Sequence, residues 1–150
     1  MLRTVLPMCC LLLAANSRMS ADETPKDIWV YKQSTGELFL NGEKKATGYS
    51  GNKEKGGLNN PKKQDEAFVG PIARGEWTIG KPFKHETKGP DVMELIPVDP
   101  KLTKQDNCLI HGDNKKANQT ASEGCIVLGP TERKMIIDKL KTIDKLLVIE

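Results

Sequence analysis

The sequence is poor in the residues that build metal centres. Its 150 residues include two histidines and four cysteines, with no C-x-x-C or H-x-x-x-H spacing, so no metal site is expected. Aromatic residues make up 5% of the chain, and the basic residues are scattered singly or in pairs. Without a basic stripe interleaved with stacking rings, nucleic-acid binding is not expected. Neither sign of charge dominates, since 23 Lys and Arg against 20 Asp and Glu leave a net charge of +3. Long hydrophobic runs are also lacking: a spanning helix needs about 20 apolar residues, and the longest candidate, near the N-terminus, is shorter. What is present, 37% hydrophobic and 29% charged residues, suits one ordinary domain able to build its own core.

The first residues read differently from the rest. Arg3 supplies a positive start, Val5 to Ala15 is apolar apart from Cys9 and Cys10, and small residues stand at Ala15, Ser17, Ser20 and Ala21. This pattern predicts a secretory signal peptide over 1–21, a domain over 22–150, and a secreted or periplasmic location. A membrane anchor is the weaker alternative, because Pro7 disturbs an already short run. Met8 before Cys9 makes a poor lipidation site. Removal of the segment leaves Cys108 and Cys125, which in an oxidising compartment form either a disulfide or a reactive thiol with a bystander.

Alternation and turn residues predict a mainly β domain with one late helix, without repeats. Ile28–Tyr31 and Glu37–Leu40 read as a hairpin through Ser34-Thr35-Gly36, and Lys44–Tyr49 as a third strand. Ser50 to Glu66 lacks apolar periodicity and reads as a long exposed loop. Strands are expected around Trp77 and Ile79, over Asp91–Val98 and Asn107–His111, at Cys125–Leu128 and at Lys145–Glu150. Gly112–Gly124 is a polar loop. Gly129-Pro130-Thr131 opens a helix with Thr131 as candidate cap and with Met135, Ile136 and Leu140 on one face.

The chemistry concentrates in His111-Gly112-Asp113 and Ala121-Ser122-Glu123-Gly124-Cys125-Ile126. A cysteine attacks as thiolate, and a histidine beside it can take the proton and lower the thiol pKa. His111 and Cys125 each sit where a strand meets a loop, so both can project at one sheet edge. The N–H groups of Gly124 and Cys125 are candidate oxyanion donors. Ser122 either orients His111 or satisfies a loop N–H; Asp113 either binds a substrate ammonium or closes the turn after His111. His85 reads as a solvated loop residue. Alternation along the strand sends Cys108 and Ile110 to one face and Leu109 and His111 to the other, so Cys108 is expected to point away from Cys125 as an unreactive core thiol.

At these positions the chain resembles the L,D-transpeptidase catalytic domain of the YkuD type, in His111-Gly112 and Ser122-Glu123-Gly124-Cys125-Ile126. It is more similar still to the small type VI secretion effectors of that fold, through Trp29 to Leu38, Thr47 to Gly51, Asn59-Asn60-Pro61, Val69 to Ile72 with Arg74-Gly75, and Thr78 to Gly80. Glu123 stands where most housekeeping members carry His, and Val127 where they carry a basic or amide residue, so their substrate contacts are not carried over. The resemblance implies an L,D-transpeptidase-like β-sandwich or barrel. It implies that Cys125 attacks the third residue of a peptidoglycan stem tetrapeptide and expels the terminal D-alanine, with His111 as base and then acid. Tyr49 and Ser50 would line the site, although Tyr49 alternatively packs its ring at a strand end. No cofactor is needed, a monomer is expected, and the effector resemblance adds an immunity protein as a candidate partner. Two rivals remain at this stage: an amidase or endopeptidase with its cysteine at a helix N-terminus, and a wall-binding module bridged from Cys108 to Cys125.

Overall fold

Trp29 and Tyr31 alternate with Val30 and Lys32, and both rings are completely buried, as the two-residue period of a half-buried strand requires. They belong to β1 (Trp29–Lys32), which turns back into β2 (Glu37–Leu40) as the hairpin predicts. These elements come from a computed structural model that describes residues 27–150. The expected signal peptide over 1–21, with Cys9 and Cys10, lies outside the described residues.

Asn41 and Gly42, both at positive φ, return the chain tightly into β3 (Glu43–Thr47). The single third strand expected over Lys44–Tyr49 is in fact two. The ladder of β3 stops at Thr47, and β4 (Tyr49–Ser50) pairs instead with β9 (Ile126–Val127). Gly48 makes the switch: a Cβ there would lie 2.1 Å from the Val127 carbonyl oxygen, so only glycine lets the backbone pass. The remaining elements are β5 (Gly75–Ile79), β6 (Phe83–His85), β7 (Gly89–Pro97), β8 (Leu109–His111), α1 (Pro130–Lys139) and β10 (Lys145–Ile149).

The sheet runs β3-β2-β1-β10-β5-β7-β8-β9-β4, with β6 added to β7. Its two end strands, β3 and β4, are consecutive in the chain with only Gly48 between them. The sheet therefore curls until its ends meet, an almost closed barrel with the β1–β10 and β8–β9 pairs parallel. Trp29, Tyr31, Leu38, Trp77, Met93, Ile110, Ile126 and Leu146 fill it, and α1 adds Ile136. The mainly β class with a single helix in the C-terminal half is thus observed among the described residues. None of their helices is long and apolar enough to cross a membrane.

Three local expectations are corrected. Thr131 is not the helix cap: Gly129 is, without a side-chain bond, and Pro130 occupies the first helical turn, where its fixed φ suits the helix and its missing N–H costs nothing. β6 escapes the sequence reading because Phe83 and Lys84 are exposed and the strand has no buried face to alternate. The segment from Ser50 to Glu66 is not simply exposed. Ser50, Gly51 and Gly57 are buried, as are Gly70 to Ala73 beyond it, and the wholly buried Gln33 donates from Nε2 to the Ile72 carbonyl (2.7 Å) and to Gln64 Oε1 (3.0 Å). Hydrogen bonds rather than apolar periodicity pack this stretch, which is why periodicity does not reveal it.

Candidate active site

The parallel pair β8–β9 sets the site. Ile110 is opposite Ile126 and His111 opposite Val127, so continuing the register by one residue brings Cys125 beside Leu109. Alternation then gives the two strands two chemically different faces. Cys108, Ile110, Ile126 and Leu128 point into the main core. Leu109 and Cys125 point to the opposite face and pack with Val92, the face that also carries His111. His111 and Cys125 are thus diagonal neighbours on adjacent strands, within reach of long side chains. Both cysteines are free thiols, and a bridge has no support from their divergent directions.

His111 is 1% exposed. Its Nδ1 lies 2.7 Å from the Gly112 carbonyl oxygen, which can only accept, so the ring proton sits on Nδ1 and Nε2 keeps its lone pair. Nε2 is buried with no hydrogen-bond partner. Burial is the main cause that pulls the imidazole down to about 4, opposed by the Gly112 bond and reinforced by the cations Lys88 and Arg133 and by His85. The ring is therefore neutral at pH 7, with the unprotonated nitrogen a general base requires.

The thiol of Cys125 donates to the Asn107 carbonyl (3.7 Å). Burial raises its pKa, only partly offset by the Leu109 N–H and by Lys88. A thiolate–imidazolium pair with a lowered thiol pKa, the expectation from residue types, is accordingly not the resting state. Thiol and imidazole both rest neutral.

Around Cys125, three consecutive residues of β4 and its end hold three parts of the loop before this thiol. Tyr49 Oη accepts from the Ala121 N–H (3.1 Å) and donates to Asp113 Oδ1 (2.7 Å). Ser50 Oγ donates to the Gly124 carbonyl (3.2 Å) and accepts from the Ile72 N–H (2.8 Å). The Gly51 N–H donates to Ser122 Oγ (3.0 Å). Ser122 Oγ in turn accepts from the Gly124 N–H (3.1 Å) and donates to the Cys125 carbonyl (2.6 Å).

These bonds give the loop residues structural partners. Ser122 braces the backbone and makes no hydrogen bond to His111. Asp113 closes the turn by accepting from the Asn114 N–H (2.8 Å) as well as holding Tyr49. The Gly124 N–H is engaged by Ser122, which corrects its assignment as an oxyanion donor. The Cys125 N–H takes part in none of the bonds that fix the loop. Gly124 matters for its shape instead: at φ +130° a Cβ would lie 2.3 Å from Gln105 Nε2.

Gln105, Arg133 and Lys88 are the participants that sequence reasoning missed. Gln105 Nε2 donates to the Glu123 carbonyl (2.8 Å) and its Oε1 accepts from the Phe68 N–H (3.3 Å). Arg133, 6% exposed, donates to the Leu128 carbonyl (2.6 Å) and the Asp91 carbonyl (3.2 Å) and covers Gly112, so α1 clamps the strand ends on which His111 sits. Burial lowers the Arg133 pKa, yet no carboxylate pairs with it among the described residues. The only signal for these residues would have been their distance in the fold, which spacing does not encode.

No protein-family model matches the sequence, and no curated protein matches it. Solved structures similar to it include an LD transpeptidase in complex with imipenem, at 16% identity and TM-score 0.48, covering 81% of this chain and 58% of that one. An L,D-transpeptidase from Mycobacterium tuberculosis H37Rv follows at 11% identity and TM-score 0.49, covering 82% and 57%. One from Mycobacterium smegmatis is 18% identical at TM-score 0.45, covering 82% and 58%. In each case the chain spans less than two thirds of the other protein's length.

Proposed function

We propose that the chain is a peptidoglycan-modifying cysteine enzyme that removes or exchanges the terminal D-alanine of stem tetrapeptides. The observation that carries this reading is the orphaned, unprotonated Nε2 of His111 on the sheet face it shares with Cys125. As the substrate enters, Nε2 takes the thiol proton while Cys125 Sγ bonds to the carbonyl carbon of the third, L-centred residue. In this reading the Cys125 N–H donates to the oxygen of the tetrahedral intermediate. Collapse breaks the bond to D-alanine, whose amine leaves with the proton held by His111, and a thioester remains on Cys125. Water then gives the trimmed tripeptide, whereas a D-amino acid or a neighbouring stem amine gives exchange or cross-linking. The chemistry needs no cofactor. Burial of His111 and Cys125 favours it by keeping the imidazole neutral until the thiol proton is transferred.

Residues 22–150 form the catalytic domain in this reading, and 1–21 the signal that delivers it to the cell wall outside the cytoplasm. An antibacterial effector role, with an immunity protein as partner, follows from the same resemblance. Mass spectrometry of tetrapeptide muropeptides incubated with the enzyme tests the reaction. Loss or replacement of the terminal alanine by the wild type, absent with Cys125→Ala, supports it. Cleavage elsewhere in the stem, or undiminished turnover by folded Cys125→Ala, overturns it. N-terminal sequencing of exported protein tests the signal, and a start at Met1 counts against cleavage.

A further inference from the structure

A cavity of about 540 Å³ opens beside His111, walled by Thr87, Lys88 and Gly89 on one side and by Asp113, Lys115 and Ala121 on the other. Its first wall is the turn between β6 and β7, whose residues 86–90 include none that is buried. That turn is built rather than loose. His85 Nδ1 accepts from the Thr87 N–H (3.2 Å) and the Lys88 N–H (3.3 Å), and His85 is registered opposite Gly89 at positive φ. Lys88 is half-buried, while Lys115 across the cavity is exposed. The Lys88 ammonium has no carboxylate partner among the ion pairs of the described residues, yet it lies near enough to bias the titration of both His111 and Cys125. The one carboxylate on the cavity wall, Asp113, already accepts from Tyr49 and Asn114.

We infer that Lys88 is a specificity-determining residue that binds a substrate carboxylate in this cavity, and that the group it reads is the C-terminal carboxylate of the leaving D-alanine. The second half rests on the proposed reaction. His111 must protonate the departing amine, so that nitrogen lies at Nε2, and the terminal carboxyl carbon is only two bonds beyond it. From there the cavity with its unpaired, half-buried cation is the space the carboxylate enters. A stem whose terminal carboxylate is masked or extended loses the ion pair, which makes the enzyme selective for free tetrapeptide ends.

Two measurements on the full mature chain test this separately. Alkylation of Cys125, followed by peptide mapping, compares anionic iodoacetate with neutral iodoacetamide. The thiolate fraction is common to both reagents, so their rate ratio reports only the field at the sulfur. Lys88→Gln should lower that ratio about fivefold, the size expected for one nearby charge in a partly solvated cavity. Lys88→Arg should keep it, and Lys115→Gln should change it less. On muropeptides, wild type should prefer the free-acid tetrapeptide over its C-terminal amide, mainly through KM, and Lys88→Gln should lose the preference about tenfold while Lys88→Arg retains most of it. An unchanged alkylation ratio in folded Lys88→Gln overturns the anion site. A changed ratio with equal turnover of acid and amide by wild type overturns the assignment to the terminal carboxylate. If wild type processes no muropeptide at all, the proposed function fails, and the alkylation ratio still decides the anion site by itself.

Discussion

Cys108 and Cys125 are the same residue type, both buried and both free, and both lie beside β8. One faces Ile110, Ile126 and the rings of the main core; the other faces Val92, Leu109 and the side that bears His111. Burial, with the neighbouring Cys125 and Asp106 adding to it, pushes the Cys108 thiol up to about 12. Cys125 is also raised by burial, but the Leu109 N–H and Lys88 pull against it. The two residues are 5% and 8% exposed, so what separates their surroundings is strand parity and not accessibility. A one-residue slip of β8 would turn Cys108 to the face of Cys125 and carry His111 into the core.

The largest effect that would break this contrast is on turnover. Cys125→Ala should reduce muropeptide conversion on the order of 10⁴-fold or more, as loss of a nucleophile does, while Cys108→Ala should leave it near wild type. Mass-spectrometric initial rates of both variants check this, and a comparable loss in Cys108→Ala would erase the distinction. His111 belongs to the face of Cys125 and makes that face sensitive to acid. Its pKa falls from the ordinary 6.5 in the unfolded chain to about 4 in the fold. Above 6.5 neither state binds the proton. As pH falls below that value the unfolded chain binds it first, so stability decreases until about pH 4 and then levels, by about 3 kcal/mol in all. Urea midpoints across this range should show the loss, and His111→Asn, which can keep an amide donor to Gly112, should flatten it.

Gly124→Ala sharpens the comparison at the loop. At φ +130° a side chain strains the backbone before Cys125, and the Gln105 carboxamide must give way to its Cβ; a misplacement of the thiol by about 1 Å costs about 10²-fold in rate. Circular dichroism should remain native. The smallest effect belongs to the inert thiol: Cys108→Ala removes a core sulfur and should cost about 1–2 kcal/mol of stability, read as a lowered Tm with activity retained below it.

Much of this was legible in residues. Alternation at Trp29 and Tyr31, the hairpin through Gly36, and the parity of Cys108, Ile110 and His111 depend only on a two-residue period, which is local. His111 and Cys125 could be paired as candidates because acid–base and nucleophilic chemistry restrict the residue types. The switch at Gly48 was not legible, because the reason for glycine there is the Val127 carbonyl, far along the chain. The same holds for Ser122, Gln105 and Arg133, whose partners are backbone groups brought near by the closing sheet. Which N–H groups of the loop before Cys125 are bonded was likewise decided by Ser122 Oγ meeting Gly51 and Gly124, contacts that no spacing encodes.

The sequence by itself determined the two-residue period of the buried strands, the chemical inventory of the candidate site and the parity of Cys108 against His111. Only the tertiary structure decided that His111 keeps an unprotonated Nε2, that the thiol rests neutral, and that Lys88 stands over the cavity. Proton positions and charge depend on burial and on partners distant in sequence, and those exist only once the sheet has curled on itself.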